Sequence, residues 1–147
     1  MPSIKWDEDL NIGAKSVDDQ HKQLIHTINQ LHLAVGYGKP GEVIMPLIDR
    51  LFEYADAHFH DEELIFGALG YSGALEHKKE HLNFITTLKE LKRQFGYSRD
   101  FLAIHVKDLL LDWFYNHIRT KDMEYKELLD VQRKARPEAS ATKTGGV

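Results

Sequence analysis

Seven histidine and acidic residues have the types and spacings of metal ligands. They are His21, the pair His58 and Glu62, the pair His77 and His81, and finally His117 and Asp122. Each pair is four residues apart, a spacing that in a helix brings two side chains to within about 40° on one face. Two side chains so placed can bind one metal ion together, or one can bind it while the other bridges to a second ion. Both pairs have apolar neighbours and are therefore expected to face inward, where an unpaired polar group costs about 1–3 kcal/mol.

The chemical nature of these donors limits the metal. The chain has no cysteine, which excludes a disulfide scaffold, thiolate zinc sites and iron–sulfur clusters. Imidazoles and carboxylates without thiolates also exclude copper(I) and disfavour calcium and magnesium. Seven such donors are too many for one zinc ion. They suit two ions, with Glu62 and Asp122 bridging them through both carboxylate oxygens.

The spacing between His117 and Asp122 is unusual for two ligands of one site. Five residues correspond to about 500°, which puts the two side chains about 140° apart on an unbroken α-helix. Both can face the same site only if the helix breaks, widens to a π-turn or restarts between them. Thr120 offers an N-cap for a short following helix. We therefore predict a break near 118–121 and a short C-terminal helix after it.

The scaffold that holds these ligands is predicted to be all-α. Apolar residues recur at helical spacing in four stretches of about 20 residues, separated by turn-forming clusters at 36–41, 67–73 and 95–98. Each stretch has a single apolar stripe, which favours an up-down-up-down antiparallel four-helix bundle over an open helical array. Such a bundle brings all seven candidate ligands to the same end.

The same pattern predicts which residues of the third and fourth helices face the core. The inner face of the third helix is expected to contain Leu75, Leu82, Ile85, Leu88 and Leu91. The apolar stripe of the fourth contains Phe101, Ile104, Leu109, Leu110, Trp113 and Phe114.

The two ends of the chain differ from the helical middle. Residues 1–18 have no sustained period and are predicted to form an extended arm, and Asp18 offers an N-cap oxygen for the first helix. Residues 131–147 are small and polar, which is typical of a disordered tail. The predicted domain is therefore 1–130.

Composition narrows the class of partner. The formal net charge is −4, from 19 basic and 23 acidic residues, which argues against nucleic acid. No apolar run approaches the length of a membrane span, and the N-terminus has no signal-peptide core. A cytoplasmic protein without a membrane span is expected.

Taken in order, these motifs resemble the hemerythrins, and in particular the bacterial single-domain members of that family. The resemblance covers about residues 4–130 and is carried by Trp6, VDDQH at 17–21, HFHDEE at 58–63, HKKEH at 77–81, WFYNH at 113–117 and Asp122. It implies two non-haem iron ions. His77, His81 and His117 would hold one iron and His21 and His58 the other, with Glu62, Asp122 and an oxo or hydroxo group as bridges.

The resemblance also implies a function, reversible binding of dioxygen at the iron that has only two histidines. Phe59, Trp113, Phe114 and Ile118 would line the oxygen pocket and exclude water; Phe114 stands where the family commonly has Leu. Ferritin-like di-iron enzymes use Glu-x-x-His motifs, which this chain lacks. The expectation is thus an oxygen store, scavenger or carrier and not an enzyme. Two alternatives stay open: an oxygen- or redox-sensing module, and a di-iron enzyme of peroxidase or nitric-oxide-handling type.

Overall fold

The computed structural model describes residues 4–135, and the residues it describes form helices and no strands. Four long helices pack as the predicted bundle. A single 3₁₀ turn, Glu8–Leu10, comes first. The main helices are α1 (Lys15–Gly36), α2 (Pro40–Leu69), α3 (Ala74–Phe95) and α4 (Arg99–Asp112). The chain continues without a loop into a π-helix (Trp113–Lys121), then α5 (Asp122–Glu124) and α6 (Lys126–Ala135).

Short connections between the long helices enforce the up-down order. Gly70 ends α2 in the left-handed conformation (φ 61°), and its N–H donates to the Gly67 carbonyl. Pro40 occupies the first turn of α2, where its missing N–H costs nothing. Pro46 lies inside the same helix, which continues through it. Helices α1, α2 and α4 contact one another and α3 contacts α2 and α4, so the core lies between all four helices.

The inner face of α3 agrees only in part with the one predicted. Leu88 is buried as expected and so is Phe84, whereas Leu75 and Leu82 are both 66% exposed. Phe84 and Leu88 follow His81 at +3 and +7, the spacing of one helical face. The helix therefore buries the face that contains the inward histidines and Leu88, and Leu75 and Leu82 lie outside it.

The beginning of α4 shows a similar difference. Phe101 is 60% exposed and Ile104 is also largely accessible, while Leu102 and Val106 are fully buried. Because Leu110, Trp113 and Phe114 of the predicted stripe are buried, only the beginning of the stripe is displaced, by about one residue.

The N-terminal arm is attached to α1 by polar contacts. The Asn29 side chain exchanges two hydrogen bonds with the backbone of Ile4, at 2.9 and 2.7 Å. Helix α1 begins at Lys15, so Asp18 lies inside it and does not cap it. The Asp18 carboxylate instead accepts the N–H groups of Ile12 and Gly13, at 2.7 and 3.1 Å.

The C-terminal segment differs in detail from the predicted one. The expected interruption near 118–121 is a widening of the helix and not a break, and the short C-terminal helix α6 begins after a turn at Tyr125. Helix α6 extends to Ala135, five residues past the predicted domain limit. The remainder of the predicted tail, 136–147, lies outside the described residues. Within the described chain, no helix combines the length and hydropathy of a membrane span.

Candidate metal centre

The structure brings all seven candidate ligands together at one end of the bundle. They form two groups that share Glu62 and Asp122, and within each group one donor atom per residue lies within 4.8 Å of every other. One group adds three histidines to the shared carboxylates, and the other adds two. The larger group contains His77, His81 and His117, and the smaller contains His21 and His58. All seven side chains are buried.

The antiparallel arrangement of the helices explains why the seven candidate ligands lie at one end of the bundle. His21 lies near the start of α1 and His58 and Glu62 near the end of α2, so short connections place both sets at one end. His77 and His81 occupy the first two turns of α3. Because members of a pair are one helical turn apart, they face the same interior point.

The π-helix resolves the five-residue spacing. The Asp122 N–H donates to the His117 carbonyl, which is the i→i+5 hydrogen bond that defines a π-turn. The wider turn brings residues five apart onto one side of the helix. His117 and Asp122 therefore both face the centre, and their Nε2 and Oδ1 atoms are 3.0 Å apart.

Asp122 lies between the two groups of histidines. Its Oδ1 is 2.8 Å from His77 Nε2, on the three-histidine side. Its Oδ2 is 3.0 Å from His21 Nε2, on the two-histidine side. Each oxygen thus faces a different group, the geometry required of a carboxylate that bridges two ions.

Glu62 spans the same two groups in a different way. Its Oε1 is 3.1 Å from His58 Nε2 and also 3.1 Å from His81 Nε2, one histidine from each side. Its Oε2 accepts a 2.6 Å hydrogen bond from the buried hydroxyl of Tyr125. A single oxygen therefore faces both groups, while Tyr125 orients the other.

Several donor atoms of the centre lack hydrogen bonds although they are buried. Both Asp122 oxygens, Glu62 Oε1 and His81 Nε2 have no hydrogen-bond partner. Buried polar groups are rarely left unpaired in native proteins, and each such group needs an explanation. Their convergence on common points in a nitrogen-and-oxygen donor set fits metal ions better than it fits a hydrogen-bonded polar core.

Hydrogen bonds outside the cluster orient three of the imidazoles. His58 Nδ1 donates to Gln20 Oε1 at 2.7 Å, and His117 Nδ1 donates to Glu80 Oε1 at 2.8 Å. His81 Nδ1 lies 3.4 Å from Glu63 Oε2. With Nδ1 engaged outside, the Nε2 lone pair faces the centre, as metal-binding histidines require.

The pKa values of the two carboxyl groups reflect the surrounding histidines. Burial and the charge of Asp122 act to raise the pKa of Glu62. The facing His58 and His81 outweigh them and lower the pKa of Glu62 to about 2. Burial likewise opposes ionisation of Asp122, but His117 and its neighbours hold the Asp122 pKa well below its usual range. Both groups therefore provide anionic donors at neutral pH.

Two histidines of the cluster are shifted in opposite directions. Burial lowers the pKa of His58, although Glu62 opposes the shift. Burial also acts to lower the pKa of His117, but the nearby charge of Asp122 and the hydrogen bond to Glu80 outweigh it and raise the pKa. The two sides of the centre thus differ in electrostatic environment.

Aromatic rings cover the imidazoles. Phe59 stacks on His81 with 3.9 Å between ring centroids, and Trp113 stacks on His117 at 3.7 Å. Tyr54 lies parallel to His58 at 5.1 Å. The predicted oxygen-pocket residues Phe59, Trp113, Phe114 and Ile118 all belong to the buried core.

The histidines not assigned to the centre lie elsewhere. His26 and His60 are exposed, and His32 is half-buried. His105 stacks on Phe95 with 4.1 Å between ring centroids.

Four residues that hold the ligands from outside were not predicted from the sequence. Gln20, Glu63 and Glu80 contact imidazole Nδ1 atoms, and Tyr125 contacts Glu62. Gln20, Glu63 and Glu80 each directly adjoin a candidate ligand in sequence. This adjacency is the signal by which the sequence could have indicated their role.

Comparison with known proteins agrees with this arrangement. Residues 13–129 match the family model described as the hemerythrin HHE cation binding domain. The chain is 37% identical over 125 residues to the bacteriohemerythrin of Pseudomonas aeruginosa, covering 85% of this chain and 80% of that protein. It is 29% identical to the bacteriohemerythrin of Clostridium acetobutylicum, covering 82% of this chain and 96% of the relative. For myohemerythrin-1 of Phascolopsis gouldii the identity is 28%, over 82% and 90% of the two chains. The chain belongs to the hemerythrin family.

Proposed function

We propose that this protein binds dioxygen reversibly at a pair of non-haem iron ions, and that it serves oxygen storage, scavenging or transport. The observation that carries the proposal is the pair of donor groups that share Glu62 and Asp122. Three histidines complete one group and two complete the other, so the second ion has fewer protein donors. That side of the centre would therefore have room for a small ligand.

The assignment of ligands follows the two groups. We assign His77, His81 and His117 to one iron and His21 and His58 to the other. Glu62 and Asp122 bridge the ions. Two ferrous ions contribute +4 and the two carboxylates −2, and a bundle core buries the smaller net charge at lower cost.

Iron supplies the electrons that dioxygen takes up on binding and returns on release. The chain's own residues keep that exchange reversible. Phe59, Trp113, Phe114 and Ile118 are buried and apolar, and they exclude the water and protons that promote irreversible oxidation. Stacking of Phe59 and Trp113 on ligand imidazoles also restricts ring rotation.

The proposed role is binding and not catalysis. The names of the relatives, bacteriohemerythrin and myohemerythrin, support it. The histidine-rich donor set also differs from the Glu-x-x-His sets of ferritin-like di-iron enzymes. A cytoplasmic location stays a prediction.

The test is to load the metal-free protein with ferrous iron without air, count iron per chain, and then admit oxygen. We expect two irons per chain and a visible absorption band that develops with oxygen and disappears when oxygen is removed. Immediate irreversible oxidation, or the absence of a reversible band, contradicts the proposal and favours a sensor or an enzyme. Turnover assays with hydrogen peroxide and nitric oxide then separate those two.

A matched pair of substitutions on α2 tests the ligand assignment. His58→Ala removes a proposed ligand, while His60→Ala removes an exposed histidine two residues away. We expect the first variant to lose iron from the two-histidine side and the second to bind two irons. Equal iron content in the two variants contradicts the assignment.

A further inference from the structure

The acidic side chain of Glu80 contacts two residues of the π-helix. It lies on α3, one residue before His81, but it points away from the centre and is about one-third exposed. Its Oε1 accepts the Nδ1–H of His117 at 2.8 Å. Its Oε2 pairs with Lys121 Nζ at 3.6 Å. One carboxylate therefore joins α3 to the middle and to the end of the π-helix.

Both contacts bear on the geometry of the centre. The hydrogen bond to Nδ1 fixes the orientation of the His117 ring, so that Nε2 faces Asp122 and His77. The pair with Lys121 holds the residue that directly precedes Asp122. Because the π-turn between His117 and Asp122 brings both to one face, fixing its two ends favours the wide turn over an ordinary α-helical one.

We infer that Glu80 is a positioning residue of the metal centre, which orients His117 and stabilises the π-helix that presents Asp122. The inference rests on the proposed metal site but not on its reaction with dioxygen. A pocket of about 200 Å³, lined among others by Glu80, Asp112 and Asn116, opens beside this contact. Glu80 can therefore be substituted without filling or emptying the apolar core.

The protein contains a precedent for the conservative substitution. On the two-histidine side, the amide oxygen of Gln20 accepts the Nδ1–H of His58 at 2.7 Å. An amide is thus sufficient as an acceptor at that distance. Glu80→Gln should keep the acceptor for His117 and lose the charge that faces Lys121, whereas Glu80→Ala loses both.

The experiment titrates the full-length, metal-free protein with Co²⁺, whose visible spectrum reports the coordination of each ion. We expect Glu80→Ala to weaken the binding of one of two Co²⁺ ions by about 10–100-fold, the usual effect of removing such a partner. Glu80→Gln should restore most of that affinity. Glu76→Ala is the matched control, since Glu76 is exposed, lies one turn earlier on α3, and contacts Lys79.

A second readout uses the metal-free protein labelled with ¹⁵N-histidine. The Nδ1–H proton of His117 should be protected from exchange with water in the parent and in Glu80→Gln, and should exchange rapidly in Glu80→Ala. This distinguishes positioning from a general loss of structure, because helical content should be the same in all variants.

The inference is overturned if Glu80→Ala binds both Co²⁺ ions as tightly as the parent, or if Glu76→Ala weakens binding equally. A parent protein that takes up no Co²⁺ overturns the centre itself. If Co²⁺ binding responds as expected but the iron-loaded parent shows no reversible oxygen band, the proposed function fails and the role of Glu80 stands.

Discussion

The two ends of the bundle are built from opposite kinds of residue. Among the described residues, all eight buried polar or charged side chains lie at the end that contains the metal centre. The other end is closed by aliphatic side chains such as Ile44, Ile48 and Leu102, each with no exposed surface. Burial of apolar area stabilises this second end in the ordinary way. The first end also buries apolar residues such as Phe66 and Tyr125, but among the described residues it alone buries polar groups that are costly when unpaired.

The largest effect is expected from substituting Glu62, at the metal end of the bundle. Glu62→Ala removes a proposed bridge and leaves five buried imidazoles around one carboxylate, which cannot compensate two ions. We expect loss of paired iron binding, measured as iron per chain after anaerobic loading. Asp56→Ala, an exposed carboxylate on the same helix, is the control. Two irons retained in Glu62→Ala would show that Glu62 does not bridge.

The matching change at the apolar end is Leu102→Ala. Leu102 is fully buried, and removing such a side chain usually costs about 2–5 kcal/mol, because a cavity stays behind. We expect urea unfolding to show a loss of this size in the metal-free protein. Iron content of the folded variant should still be two per chain. A large change in iron content would mean that the two ends are not independent.

The two ends should also differ in how they make the free energy of unfolding of the metal-free protein depend on pH. Both shifted histidines, with an ordinary pKa of 6.5, lie at the metal end. The pKa of His117 is raised in the folded protein. Its contribution to folding stability is therefore present below about pH 6.5 and is lost as the pH rises through that raised pKa. The pKa of His58 is lowered in the folded protein. Folding stability is therefore lost as the pH falls from about 6.5 through that lowered pKa. We expect the free energy of unfolding to be highest near pH 6.5.

A further loss of folding stability should follow in acid, because the pKa of Glu62 is lowered from 4.5 to about 2. Its contribution is present above about pH 4.5 and is lost as the pH falls toward 2. Urea titrations at several pH values measure both effects. Leu102→Ala should shift the whole profile downward without changing its shape, and a profile that is flat between pH 5 and 8 would contradict the assignment to His58 and His117.

The smallest expected effect concerns Phe114, a buried residue of the π-helix one turn before His117. If Phe114 lines the oxygen pocket as predicted, Phe114→Leu enlarges that pocket. We expect faster oxygen binding and faster irreversible oxidation, each by about tenfold or less, equivalent to at most about 1.4 kcal/mol in the barrier. Stopped-flow mixing of the iron-loaded protein with oxygen measures both rates. Unchanged rates would show that Phe114 only fills the core.

The sequence was sufficient to predict the bundle and to single out the seven side chains that converge, because residues one helical turn apart share a face whatever the packing. It left three ways for His117 and Asp122 to share a site, and the structure contains the π-turn. On α3, the inward histidines and Leu88 were predicted correctly, but the apolar pattern also included Leu75 and Leu82, which are exposed. A face that buries polar ligands cannot be found by hydrophobicity alone.

The contacts that orient the ligands could not be predicted in the same way. Glu80 and His117 are 37 residues apart, and Tyr125 and Glu62 are 63 apart. Such contacts depend on how far each helix is rotated and translated against its neighbour. Local periodicity contains no information about that relation.

The stacking of Trp113 on His117 gives the protein an internal optical probe. The indole lies parallel to the imidazole at 3.7 Å, so we expect its fluorescence to change when a metal ion binds to His117. The chain has only one other tryptophan, Trp6, which lies on the N-terminal arm with Lys22 Nζ 5.0 Å from its ring centroid. Emission from the two indoles should therefore report on two separate places, the filling of the proposed centre and the attachment of the arm.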